Sequence, residues 1–143
     1  MEPPHASLEA PSADCPFCER LVQGATLLES ELAFAIPDGY PVSPGHTLVV
    51  PKRHEGDYFS LTAREQRSLW DLAGEVCSRI GSVNRPNGFN LGLNAGAAAG
   101  QTVPHVHVHV IPRYEGDSVD PRGGVRWVIP EKAAYWRGET SEG

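Results

Sequence analysis

Three histidines stand at alternate positions in the run His105-Val106-His107-Val108-His109. Alternation has the two-residue period of a β-strand, so the imidazoles share one face and the valines the other. Neutral imidazole is the side chain best suited to act near neutral pH as nucleophile, proton carrier or metal ligand. A single His on a strand is ordinarily a surface or core residue. Three in register are harder to explain that way, because each buried imidazole must find a polar partner. The row therefore reads as a site. Gly100-Gln101-Thr102-Val103-Pro104 leads into it, and Val110-Ile111-Pro112-Arg113 follows.

A second candidate is Cys15-Pro16-Phe17-Cys18. The spacing fits a redox pair, half of a zinc site, or coincidence. A redox pair belongs beside a parallel βαβ unit, which the pattern here lacks. Zinc needs two further ligands, and His54, after Pro51-Lys52-Arg53, is a candidate. Alternate strand residues stand about 6.6 Å apart, whereas Zn–N bonds are about 2.0–2.1 Å. One metal thus reaches two imidazoles of the row but not comfortably all three.

The elements that must position these groups follow from periodicity and turn chemistry. Thr62-Ala63-Arg64-Glu65 has the capping-box pattern. Leu69, Leu72, Val76 and Ile80 then recur at helical spacing, with Gly81 as the expected C-cap. Cys77 reads as a packing residue beside that stripe. A short helix is expected from Cys15 to near Gly24. Strands are expected over residues 26–30, 32–36, 46–51, 89–94 and 105–111, with a further short strand over 125–129. Pro37-Asp38-Gly39-Tyr40-Pro41 and Ser43-Pro44-Gly45 are turn chemistry. Strands in succession around one main helix predict an α+β domain with an antiparallel sheet.

The totals narrow the function classes. A chain of 143 residues suits one domain, and its net charge of −6 argues against binding nucleic-acid backbones. No run approaches the roughly 20 apolar residues of a membrane span. Residues 1–13 read as a mobile tail with no secretory-signal pattern. Three cysteines without such a signal suggest a reducing compartment, by default the cytoplasm.

With the His row, Asn94, Gly96, Gly100-Gln101-Thr102 and Gly45-His46, the chain closely resembles the histidine-triad nucleotide-binding family. The resemblance covers roughly residues 15–113, making 14–113 the domain and 114–143 a C-terminal extension packing on it or on a partner subunit. It implies a five-stranded antiparallel sheet with one main helix and a short N-terminal helix, continued across a homodimer. It also implies His107 as the nucleophile toward the α-phosphorus of a nucleotide, His109 at the leaving group, and His46 beside them. Asn94, Gln101 and Thr102 would hold phosphoryl oxygens, Asp38 the ribose, and Phe17 and Ile36 the base. Some members hold structural zinc with the residues that correspond to Cys15, Cys18, His54 and His105. The expected activity is hydrolysis of a dinucleoside polyphosphate through a nucleotidyl-histidine. A phosphoramidase, a nucleotidyltransferase or phosphorylase, and a non-catalytic nucleotide-binding module are the alternatives. For Arg113 a phosphate contact stands against a salt bridge. For Arg126 and Trp127 a second-nucleotide contact stands against packing.

Overall fold

The structure is a computed structural model and describes residues 14–138. The expected tail, 1–13, lies outside the described residues. Helix α1 spans Pro16–Val22. Strands β1 (Leu28–Glu29), β2 (Ala33–Pro37) and β3 (Thr47–Pro51) follow. The main helix α2 spans Ala63–Val83. Then come β4 (Gly88–Leu93), β5 (Val108–Arg113) and a short α3 (Pro130–Ala133). The five strands form one antiparallel sheet in the order β1-β2-β3-β5-β4. Strand β5, which carries His109 and into which the rest of the histidine row leads, is therefore flanked on both sides, by β3 and β4.

Side-chain alternation divides the sheet into two apolar layers. Ala33, Ala35, Val49, Val106, Val108 and Val110 pack against Leu69, Leu72, Ala73, Val76 and Ile80 of α2. Phe34, Ile36, Leu48 and Val50 face the other way and meet Phe17, Cys15 and Cys18 of the α1 segment. His109 is paired with Leu48 in the β3–β5 register, which sets it on this second face.

Helix α2 starts as the capping box predicts. Glu65 N donates to Thr62 Oγ1 at 3.0 Å, and Thr62 N donates to Glu65 Oε1 at 2.8 Å. Arg53 grips the same carboxylate with two hydrogen bonds of 2.9 Å, holding it below its ordinary pKa. The helix start is thus tied to the segment that carries His54. Thr62→Ala should cost about 1 kcal/mol, the usual loss on removing a cap. A fall in Tm of roughly 3–5 °C on thermal unfolding would register it.

Three local expectations are corrected. Helix α2 continues past Gly81 to a C-cap at Asn84, whose N–H reaches Ile80 O. Gly81 is absent from the glycines with positive φ, so it does not supply the left-handed C-cap. The β5 ladder begins at Val108, not at His105. Pro51 has no N–H to offer, its carbonyl accepts from the His105 ring at 2.8 Å, and Val106 N turns instead to Glu55 O at 2.8 Å. Residues 124–128 form a 3-10 turn rather than a strand. Arg126 draws that segment closed by donating to Ala133 O and Lys132 O.

Candidate active site and metal centre

Alternation carries through the stretch before β5: the valines enter the α2 core, and the imidazoles lie on the α1 face. Two of the rings have their tautomer fixed by backbone carbonyls, which only accept. His107 Nδ1 lies 2.9 Å from His105 O and must carry the hydrogen, leaving Nε2 with a bare lone pair. His105 Nε2 lies 2.8 Å from Pro51 O, so its bare nitrogen is Nδ1. The ring of Phe17 rests edge-on against His107 with centroids 5.0 Å apart. His107 is held by a carbonyl on one side and an aromatic ring on another.

The bare Nδ1 of His105 faces two sulfurs, Cys15 Sγ at 3.3 Å and Cys18 Sγ at 3.6 Å. His54 Nδ1 stands 3.3 Å from Cys18 Sγ. All four donor atoms lie within 4.8 Å of one another. A tetrahedral ion with Zn–S of about 2.3 Å and Zn–N of about 2.0–2.1 Å has S···N edges near 3.5 Å. The observed separations match that edge. Burial pushes the His105 pKa down to about 4, which keeps the ring neutral, as a metal ligand requires. Cys15 is also the N-cap of α1, its sulfur accepting from Cys18 N at 3.5 Å. These four residues can hold a metal ion. They join α1, the loop after β3 and the histidine row at one point.

A second group, Asp38, His46 and His109, is equally compact. His46 Nε2 lies 2.9 Å from His109 Nδ1 and 3.3 Å from Asp38 Oδ2. Its other nitrogen, Nδ1, accepts from Val42 N at 3.1 Å. The ring's one hydrogen therefore sits on Nε2, the atom that faces the group, so this set does not suit a metal. Gly45 lets the turn before His46 lie flat: its φ is +89°, and a Cβ there would stand 3.2 Å from Pro112 and 3.3 Å from Ile80. Ser43 Oγ donates to Pro112 O at 2.7 Å and pins the same turn to β5. Asp38 turns one oxygen back to Tyr40 N at 2.8 Å, leaving Oδ2 toward His46.

The glycine-rich loop is braced by Gln101. Its Oε1 accepts from Gly96 N at 2.9 Å, and its Nε2 donates to Gly56 O at 2.9 Å and Val103 O at 3.1 Å. Both amide hydrogens are engaged, so Gln101 shapes the loop rather than offering a free donor. Gly96 and Gly100 take φ of +96° and +97°, the left-handed region that tight turns need. Thr102 is exposed and Asn94 half-buried. Asn94 lies one residue past the Leu93–Val108 pair, which brings it level with His107.

Other expected contacts are placed differently. Ile36 is 1% exposed within the second apolar layer and acts as core rather than as a base contact. Arg113 gives Nε and Nη2 to Asp117, both at 2.8 Å, and Nη1 to Asn90 Oδ1 at 2.7 Å, which is the salt-bridge reading. Arg126 is engaged with its own segment and stacks over Tyr135 at 4.7 Å. Trp127 Nε1 donates to Arg122 O at 2.7 Å, and Arg122 lies over Trp136 at 4.7 Å. The carbonyls of Pro51 and His105 and the amide of Val42 were invisible to sequence reasoning, because a backbone group carries no residue signature.

Fold and site together define an α+β protein with a histidine row that runs into its interior strand β5 and a Cys2His2 group beside α1. The HIT domain profile matches residues 20–116, and the chain belongs to that family. AP-4-A phosphorylase of Mycobacterium tuberculosis is 39% identical over 112 residues, covering 76% of this chain and 57% of that enzyme. Bis(5'-adenosyl)-triphosphatase of Dictyostelium discoideum is 39% identical over 95 residues, 66% of this chain and 64% of that one. The solved structure of a Zn-bound histidine triad family protein from Mycobacterium smegmatis superposes with TM-score 0.68 and 32% identity. It covers 75% of this chain and 80% of its own.

Proposed function

We propose that the protein cleaves dinucleoside polyphosphates at the α-phosphorus through a covalent nucleotidyl-His107. The observation that carries this is the His107 ring, whose Nδ1–H is committed to His105 O at 2.9 Å and whose Nε2 is left as a lone pair. Nε2 attacks the α-phosphorus, the bridging P–O bond breaks, and the remaining polyphosphate leaves. Water, or phosphate, then takes the nucleotidyl group from nitrogen. His109 donates toward the departing oxygen, His46 positions it, and Asp38 with Phe17 receives the nucleoside. Asn94, Thr102 and the backbone of the loop that Gln101 braces receive phosphoryl oxygens. The names of the phosphorylase and triphosphatase relatives support this substrate class.

The metal is read as structural zinc on Cys15, Cys18, His54 and His105, which supplies cross-linking rather than chemistry. Residues 14–113 are read as the catalytic domain and 114–143 as its extension. The protein is read as a cytoplasmic homodimer, and β4, an edge strand, supports sheet continuation. No helix among the described residues is long and apolar enough to cross a membrane.

The choice of acceptor is tested by incubation with diadenosine tetraphosphate in ¹⁸O-water, with and without phosphate. Hydrolysis yields ATP and AMP carrying the label. Phosphorolysis yields ATP and unlabelled ADP, only when phosphate is present. Symmetric cleavage to two ADP without phosphate would contradict attack at the α-phosphorus.

A further inference from the structure

The chemistry of His109 is decided by the backbone amide of Val42. An amide N–H only donates, so its 3.1 Å contact makes His46 Nδ1 an acceptor. A neutral imidazole carries one hydrogen, which on His46 then sits on Nε2. That hydrogen points at His109 Nδ1, 2.9 Å away, with Asp38 Oδ2 as the looser alternative at 3.3 Å. His109 Nδ1 is thereby an acceptor, and its own hydrogen lies on Nε2. Asp38 is too far from His109 Nδ1, at 3.9 Å, to hold a hydrogen there.

We propose that the Val42 amide pins His46, and through it His109, as neutral rings, so that His109 serves the substrate by donating a neutral Nε2–H hydrogen bond rather than an imidazolium proton. To charge His46, a hydrogen must be placed on Nδ1 against the Val42 N–H. To charge His109, one must be placed on Nδ1 against His46 Nε2–H. Either change exchanges a hydrogen bond for two opposed donors.

The surroundings act in the same direction. Burial, with His107 and His46 adding to it, pushes His109 down to about 4, while Asp38 opposes. Burial also lowers His46 against the pull of Asp38. The titratable groups that act on His109 are His107 from just before β5, His46 from the head of β3 and Asp38 from the end of β2. A polyphosphate departs as a stable anion, so a hydrogen bond to the bridging oxygen assists it without full proton transfer.

The substrate part of this inference rests on the function proposed above; the tautomers do not. Two measurements test it. In the first, ¹⁵N-histidine NMR of the metal-loaded wild type follows His46 and His109 from pH 5.5 to 8. Both rings should show protonated Nε2 and bare Nδ1 throughout, with a through-hydrogen-bond coupling between Val42 N and His46 Nδ1. An imidazolium at His109, or a hydrogen on either Nδ1, overturns the proposal.

In the second, His109→Gln is compared with His109→Ala on diadenosine tetraphosphate. A Gln amide donates from nearly the same place and carries no proton to give up. It should stay within roughly tenfold of wild type, while Ala falls by about 10²–10³. Equal loss in both folded variants, or loss in neither, overturns the neutral-donor role. Expected tautomers with no turnover in the wild type would instead sink the nucleotide substrate and leave the pinning by Val42 standing.

Discussion

With His107 replaced by Ala, turnover of diadenosine tetraphosphate should fall by roughly 10⁵–10⁶-fold, the scale of losing a covalent nucleophile. His107 is the one ring of the row whose fixed tautomer leaves a bare nitrogen that faces neither a sulfur nor the N–H of another histidine. No neighbouring imidazole can substitute: His105 is turned toward Cys15 and Cys18, and His109 Nδ1 is occupied by His46. Nucleotide affinity should change little, since the residues assigned to ribose and phosphate remain. The fold should also survive. The substitution removes one hydrogen bond and the edge contact with Phe17, about 1–2 kcal/mol together. Steady-state rates alongside AMP titration check this. Turnover within tenfold of wild type would place the nucleophile elsewhere.

The second large effect is expected at the metal centre. Cys15→Ser combined with Cys18→Ser removes both sulfurs and leaves His54 and His105 as an inadequate pair. Structural zinc sites contribute folding energy outright. A loss of about 5 kcal/mol would lower Tm by roughly 10–20 °C. Metal content by elemental analysis should fall with it. Catalysis should suffer indirectly, because His105 is both a proposed metal donor through Nδ1 and, through its carbonyl, the partner that fixes the His107 tautomer. Phe17, on α1 between the two cysteines, would lose its anchorage against His107 as well. Unchanged zinc and Tm in the double variant would contradict the assignment of these ligands.

The parts of this arrangement that were legible in the sequence are those encoded by side-chain type at a fixed period. The His–Val alternation announced which face each residue would take, and Thr62 with Glu65 announced the start of α2. The resemblance groups Cys15, Cys18, His54 and His105, and the four donors do converge. What escaped was set by the backbone and by tertiary packing. Gly81 has the chemistry of a C-cap, yet the helix continues through it to Asn84. Val125 and its neighbours have strand propensity, but Arg126 closes the segment onto the carbonyls of Lys132 and Ala133. Gln101 looked like a phosphate donor because its type permits it, and only the positions of the Gly56 and Val103 carbonyls show where its hydrogens go.

The central claim is that His107 becomes covalently nucleotidylated. The most direct measurement is intact-protein mass after brief incubation with diadenosine tetraphosphate and an acid-free quench, in wild type and His107→Ala. A gain of one adenylyl group in the wild type, absent from the variant, is the predicted result. An adduct that persists in His107→Ala, or released AMP with no adduct in the wild type at any quench time, would contradict it.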